Sequence, residues 1–270
     1  MTAPLWDPQQ YLRHADHRTR PFHDLLARVP DPPDSPGDAP APRIADLGCG
    51  AGNVTALLAE RWPHARITGY DNSPQMLERA RAHATELLDF TEADAAVWAP
   101  PEPYGLIVSN ALLQWVPGHA ARLPVWLDAL LPGGTLALQV PGNFDQPSHV
   151  LMRELAESPR WRPRLGGLLR HADAVLSPAG YLDALTGPGT TADVWETTYL
   201  HLLPGEDPVL DWVKGTGLRP VLTALADDEE ARDAFLADYR DRLRTAYPKG
   251  PHGTVLPFRR IFAVAHREPR

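Results

Sequence analysis

The sequence predicts an α/β fold built on a doubly wound, mostly parallel sheet, and three observations predict it. From Arg43 onward short apolar runs alternate with amphipathic stretches, the pattern of strands joined through helical crossovers. A glycine-rich turn, Asp46-Leu47-Gly48-Cys49-Gly50-Ala51-Gly52-Asn53, falls between the first such strand and the first helix. Carboxylates then recur where successive strands end, at Asp46, Asp71 and Asp94. That is the edge at which open α/β sheets collect their ligands.

Each element follows from local chemistry. Arg43 to Leu47 reads as the first strand, and the stretch from Val54 to Trp62 carries helical spacing until Pro63 stops it. A second strand is expected over 65–70, ending at Asp71. Ser73-Pro74 then supplies an N-cap with proline at the first helical position, opening a helix through Met76, Leu77, Ala80 and Ala84. Strands are expected over 89–92 and 104–109, a helix near 120–130, and a fifth strand over 135–140 after the turn Pro132-Gly133-Gly134. Beyond Val140 the alternation weakens. Ser177-Pro178 starts a further helix, 194–201 alternates like a strand, helices are expected near 208–213 and 228–246, and the apolar run 260–265 suits a buried last strand.

This pattern divides the chain into five segments: an N-terminal segment 1–29, a Pro-rich loop 30–42, a core 43–145, an inserted helical lid 146–177 and the remainder 178–270. The loop, Pro-Asp-Pro-Pro-Asp-Ser-Pro-Gly-Asp-Ala-Pro-Ala-Pro, favours extended, solvated backbone and reads as a mobile surface spacer.

With 270 residues the chain buries a sizeable core. Its 26 Lys and Arg against 34 Asp and Glu leave a net charge of -8, so there is no broad attraction for nucleic acid or anionic lipid, and an anionic ligand must be held by local cations. No apolar run reaches the roughly 20 residues that span a bilayer. The single cysteine, Cys49, and a start lacking a secretory pattern point to the cytoplasm. The expected partner is a small molecule rather than nucleic acid or membrane, the chain is expected to act as a monomer, and no metal is expected.

Alternate glycines let backbone approach a ligand closely, and the amides at the helix N-terminus behind them can receive an anionic or polar group. That suits a pyrophosphate or an amino-acid carboxylate equally. Two details separate them. The third glycine of a dinucleotide-binding G-x-G-x-x-G would stand where Asn53 is. Asp46 would repel a pyrophosphate but welcome an ammonium, and S-adenosyl-L-methionine (SAM) carries one. Asp71, about 20 residues beyond the glycines, is placed to accept hydrogen bonds from ribose hydroxyls, and Asp94, followed by Ala95, from an adenine amino group. Met76 and Trp98 are expected to pack near the adenine. Cys49 has no histidine partner in the pattern and reads as a small filler between two glycines rather than a nucleophile.

On these residues the glycine segment with Asp71 and Asp94 resembles the class I SAM-dependent methyltransferases. The resemblance sharpens towards the trans-aconitate methyltransferase family in Trp6-Asp7-Pro8-Gln9-Gln10-Tyr11-Leu12, Asn110-Ala111-Leu112-Leu113-Gln114-Trp115, His149-Val150-Leu151-Met152-Arg153-Glu154, Asp211-Trp212-Val213 and Thr216-Gly217-Leu218-Arg219-Pro220. It implies a Rossmann-like, seven-stranded sheet and a cofactor site formed by Asp46, Gly48, Gly50, Gly52, Asn53, Asp71, Asn72, Met76, Asp94, Ala95 and Asn110, with Tyr11 and Arg20 from an N-terminal segment closing over SAM. It implies substrate contacts at Gln114, Trp115, Asn143, His149, Arg153, Tyr199 and Arg219. The sequence departs from the family in the length of the Pro30–Pro42 loop and over Glu157 to Leu176.

The activity so implied is methyl-ester formation on a small polycarboxylic acid such as trans-aconitate. A carboxylate is already ionised at neutral pH, so methyl transfer from a sulfonium needs no general base, and none is evident. Non-reacting carboxylates call for arginines, whose planar fork matches them; Arg20, Arg153, Arg219, Arg259 and Arg260 are the candidates. Three other readings stay open: a methyltransferase for another acceptor (a carrier-bound carboxylate, a phenol or an amine), a SAM-binding module without turnover, and a nicotinamide oxidoreductase.

Overall fold

A computed structural model describes residues 15–36 and 41–269. Two compact units divide them: residues 18–141, 175–197 and 260–269 form the first, and 15–17, 142–174 and 198–259 the second.

The strands are β1 (Arg43–Leu47), β2 (Arg66–Asp71), β3 (Leu88–Glu92), β4 (Tyr104–Asn110), β5 (Leu130–Pro141), β6 (Thr190–Leu203), β7 (Lys249–Gly250) and β8 (Gly253–Arg267). Seven of them lie in the order β3-β2-β1-β4-β5-β8-β6, and the two-residue β7 pairs only with β8. β3, β2, β1, β4 and β5 run parallel, whereas β8 is antiparallel to β5, with Ala263 opposite Leu138. The expected mostly parallel, seven-stranded sheet is therefore present. Parallel strands are covered on both faces, so they read as continuous apolar runs; Tyr104 to Ser109 of β4 is buried at every position. The chain adds strands outward from β1 through β2 to β3, then starts again on the other side with β4. That reversal opens a crevice at the carboxyl ends of β1 and β4.

Both predicted helix starts form. Ser73 Oγ accepts the Met76 amide at 3.4 Å before the helix Pro74–Ala80, and Ser177 Oγ accepts the Gly180 amide at 3.1 Å before the helix Pro178–Leu185. Two expectations need correction, those for the Pro-rich segment and for Trp98, and one helix was not expected. The Pro-rich segment is no bare spacer over its described part: Pro32 is buried, Asp31 Oδ1 accepts the Trp62 indole N–H at 2.9 Å, and a Cβ on Gly105 would lie 2.6 Å from the Pro33 carbonyl oxygen. Proline there rigidifies a packed strap. Residues Ala15–Leu26 form a helix that Pro21 hid from sequence reading. Trp98 is core, buried against Tyr70 at 5.1 Å, Tyr104 at 5.9 Å and Trp126 at 6.4 Å between ring centroids.

The second unit is mainly helical, with the helices Pro147–Ala156, Pro208–Lys214 and Glu229–Ala246 around its own core of Met152, Leu155, Trp161, Trp212, Phe235 and Tyr239. Trp161 meets Phe235 edge-on at 5.3 Å. The helix Pro147–Ala156 is anchored at its start: Ser148 N donates to the Tyr247 hydroxyl at 3.0 Å, and the Tyr239 hydroxyl donates to the Ser148 carbonyl at 2.6 Å.

Gly69 of β2 marks the tightest packing under the glycine turn, because a Cβ there would stand 2.7 Å from Phe90 Cδ1 and 3.0 Å from Cys49 Cβ. Gly69→Ala should cost about 1–3 kcal/mol of stability by overpacking, and adding Phe90→Leu should recover part of it. Equal melting temperatures for wild type and Gly69→Ala would show that the packing yields freely.

Candidate active site

The glycine turn owes its shape to the end of β2. Gly48 N and Cys49 N both donate to the Tyr70 carbonyl, at 2.7 and 3.0 Å, and Gly52 N donates to the Cys49 carbonyl at 3.1 Å. The fourth amide, Gly50 N, reaches Asp71 Oδ2 at 2.9 Å, while Asp71 Oδ1 accepts Ser73 N at 2.9 Å. These four amides are committed inside the protein, so they do not form the anion-receiving cradle expected of the turn. What the turn offers is close approach. Gly52 has φ of 82° and a Cβ there would sit 3.0 Å from Ala80 Cα, so it seats the loop on the helix Pro74–Ala80; a Cβ on Gly50 would meet nothing within 4 Å, so this residue faces open space.

Asp46 is buried on β1 and accepts the Thr55 hydroxyl at 2.7 Å. Burial chiefly, then the nearby Asp71 charge, raise its pKa from 3.8 to about 7, against the lowering effect of Thr55. Burial also raises the pKa of half-buried Asp71, opposed by its amide hydrogen bonds. Cys49 is buried, and burial with the two carboxylates pushes its thiol far up, which makes it an inert filler.

The other residues expected to contact cofactor border the same crevice edge of the first unit or lie on its surface. Met76 is buried; Asn53, Asn72 and Asp94 are exposed. Asp94 Oδ1 takes the Ala96 amide at 2.9 Å, shaping the turn that follows β3. Asn110 ends β4, and next to it Ala111 holds a left-handed backbone with φ of 57°, an arrangement that costs a residue with a Cβ about 1–2 kcal/mol. Gln114 is buried, its amide N–H bonded to the Ala111 carbonyl at 2.5 Å, and Trp115 is half-buried. Ser109 Oγ, Asn110 Oδ1 and Gln114 Oε1 are buried without a hydrogen-bond partner among the described residues. Sequence reasoning missed Ser109 and the strained Ala111, since neither residue type signals its conformation. Arg20 is exposed on the helix Ala15–Leu26, and Tyr11 lies outside the described residues.

The residues expected to contact the acceptor lie in the second unit, apart from Gln114, Trp115 and the arginine candidates Arg20 and Arg260. Asn143 is buried and spends its amide on the main chain of Arg259, donating to its carbonyl at 2.9 Å and accepting its N–H at 2.7 Å. Tyr199 is buried and stacked on His201. His149 and Arg153 line one small pocket together with Phe144, Gly217 and Arg170, a residue the sequence reading did not single out. Arg219 opens the helix Arg219–Ala224 and does not line that pocket; Arg260 is buried with its guanidinium 3.4 Å from Gln139 Oε1.

Strand order and glycine turn together are those of the class I methyltransferases, and residues 44–134 match a methyltransferase-domain family. A putative sarcosine dimethylglycine methyltransferase from Galdieria sulphuraria shares the fold at 14% identity, with a TM-score of 0.55 over 98% of this chain and 92% of that one. The trans-aconitate 2-methyltransferase of Streptomyces coelicolor is 69% identical over 98% of this chain and 88% of its own, and that of Rhodococcus jostii 47% identical over 97% and 99%. The chain belongs to the trans-aconitate 2-methyltransferase family. Its methyl donor is therefore S-adenosyl-L-methionine.

The buried Asp46 carboxyl makes a pH-dependent contribution to stability. Well below pH 4 it is protonated in folded and unfolded chains alike; as pH rises through 4 towards 7 the unfolded chain ionises while the folded chain keeps its proton, so stability falls over that window. Asp46→Asn should therefore gain on wild type as pH rises from 4 to 8, by on the order of 4 kcal/mol. Denaturant titrations of both proteins across that range check it, and a constant difference would mean that Asp46 ionises normally.

Proposed function

We propose that this chain transfers the methyl group of SAM to a carboxylate of trans-aconitate, as a trans-aconitate 2-methyltransferase. The observation that carries this reading is the 69% identity to the Streptomyces coelicolor enzyme of that name across 98% of the chain. Site chemistry agrees with it. SAM brings an ammonium with N–H donors, a ribose diol and an electrophilic methyl on a sulfonium. The unpartnered acceptors Ser109 Oγ, Asn110 Oδ1 and Gln114 Oε1, on and just beyond the end of β4, fit a ligand rich in donors. Asp71 keeps an acceptor carboxylate at the end of β2, where a ribose is held in this class of fold. Gly50 leaves the space for close approach.

The acceptor needs no deprotonation, because a carboxylate is already a nucleophile at neutral pH. The residues' task is to hold it in line with the methyl and to keep water away. Arg153 and Arg219 are proposed to hold the carboxylates that do not react, and Gln114 and Trp115 to border the methyl.

Two measurements test the reading. Purified protein given methyl-labelled SAM should transfer label to trans-aconitate, and mild base should release it, as for an ester but not an ether or amine; label on no di- or tricarboxylic acid would overturn the reading and leave a methyltransferase for another kind of acceptor or a SAM-binding module. Asp71→Ala should weaken SAM binding by one to two orders of magnitude, since it removes both the ribose acceptor and the Gly50 anchor. Calorimetry that returns wild-type affinity for the folded variant would take Asp71 out of the site.

A further inference from the structure

We propose that Arg170, with Arg153 and His149, forms a pocket inside the second unit that binds one non-reacting carboxylate of the acceptor and selects polycarboxylates over simpler acids. The inference rests on the acceptor reading above and adds a residue and a pocket to it. His149 and Arg153 stand four residues apart on the helix Pro147–Ala156 and so share one face. Arg170 comes to them from the segment beyond the helix Arg162–Leu165, and the two arginines are coupled: Arg153 Nη1 donates to the Arg170 carbonyl at 3.3 Å. The Arg170 guanidinium lies 5.9 Å from the Phe144 ring, which meets His149 edge-on at 5.4 Å. Gly217 closes the other side, and a Cβ there would stand 3.1 Å from His149 Nε2, so only glycine leaves the imidazole its space.

The lining gathers two guanidiniums and an imidazole in a chain whose net charge is -8, with the Asp145 and Glu154 carboxylates near enough to Arg153 to support its charge. Burial lowers the Arg170 pKa to about 10, leaving it charged at neutral pH; burial and the two arginines lower His149 to about 4, leaving it neutral. A neutral imidazole beside two cations adds a hydrogen-bonding group without a third repelling charge. The cavity, about 10 Å³, has room for about one water-sized group, which suits the end of one carboxylate and not a whole acid. Two planar forks and one small space specify a carboxylate by shape as well as charge.

The experiment pairs variants with acceptors shortened by one carboxylate. Trans-aconitate loses each of its three carboxylates in turn in itaconate, mesaconate and glutaconate. Arg170→Met should raise KM for trans-aconitate about 10- to 100-fold, with kcat changed less than about threefold and SAM affinity unchanged. Arg170→Lys should recover only part of the loss. For one of the three dicarboxylates, measured as substrate or as competitive inhibitor, the ratio of wild type to Arg170→Met should fall to near one, because the group the pocket holds is already gone. A residue that merely braces the fold would lower affinity for all four acids by the same factor, and that uniform loss overturns the proposal, as does an unchanged KM for trans-aconitate. Should Arg170→Met fail to fold, the same comparison with Arg170→Lys decides. Failure of the wild type to methylate any of these acids would instead overturn the acceptor reading, a result distinct from turnover that is indifferent to Arg170.

Discussion

One carboxylate, that of Asp71, organises the glycine turn and the helix start beside it. Its two oxygens join two consecutive strand-to-helix connections: one takes Gly50 N in the turn after β1, the other takes Ser73 N at the N-cap of the helix after β2. The Tyr70 carbonyl beside it fixes two more amides of the same turn. The shape of the glycine turn is thus written largely at the end of the neighbouring strand. Glycine supplies the permissive backbone, and β2 chooses among the conformations that glycine permits. A carboxylate that serves both turns and still has lone pairs to offer is worth keeping charged, and its amide partners oppose the upward pull of burial on its pKa.

Beneath it Asp46 follows a different logic. A fully enclosed carboxyl that accepts the Thr55 hydroxyl is held near neutral pH between its two protonation states. Such a group is a poor contributor to apo stability. It becomes favourable when a cation is brought near, which is what a ligand with an ammonium does. The same crevice edge carries the backbone strain at Ala111 and three buried oxygens without partners. Local violations of packing and hydrogen-bonding rules therefore cluster where strand order reverses, as expected where structure has been shaped around a ligand rather than for stability alone.

Much of the fold was legible because its rules are local. Parallel strands such as β4 announce themselves as unbroken apolar runs, and Ser73-Pro74 and Ser177-Pro178 mark helix starts by side-chain chemistry alone. What escaped was set by distant partners. Proline in the 30–36 segment looks like solvated linker until Pro33 is found against Gly105 of β4. Pro21 looks like a helix breaker, yet it sits inside Ala15–Leu26. The chain from 198 to 259 returns to the company of 142–174, a long-range choice that no window of sequence shows. In the candidate site the glycines and acidic residues were readable from their place after strands. Arg170 was not, because an arginine in a segment without periodicity looks like any solvated arginine until His149 and Arg153 are seen beside it.

The charge balance sets what the proposed acceptor site has to do. An acidic protein repels a polyanionic acceptor at long range, so recognition has to be short-range and geometric. Enclosing arginine forks provides that, since a guanidinium in a low-dielectric pocket discriminates a carboxylate far better than one in solvent. Under the proposed reading the acceptor's residues have only to hold it, because the nucleophile arrives ionised and the leaving group is a neutral thioether. Catalysis of this kind depends on alignment. A site that lacks a general base but fixes an acid through its spectator carboxylates puts its binding energy into orientation, the quantity on which an in-line displacement depends.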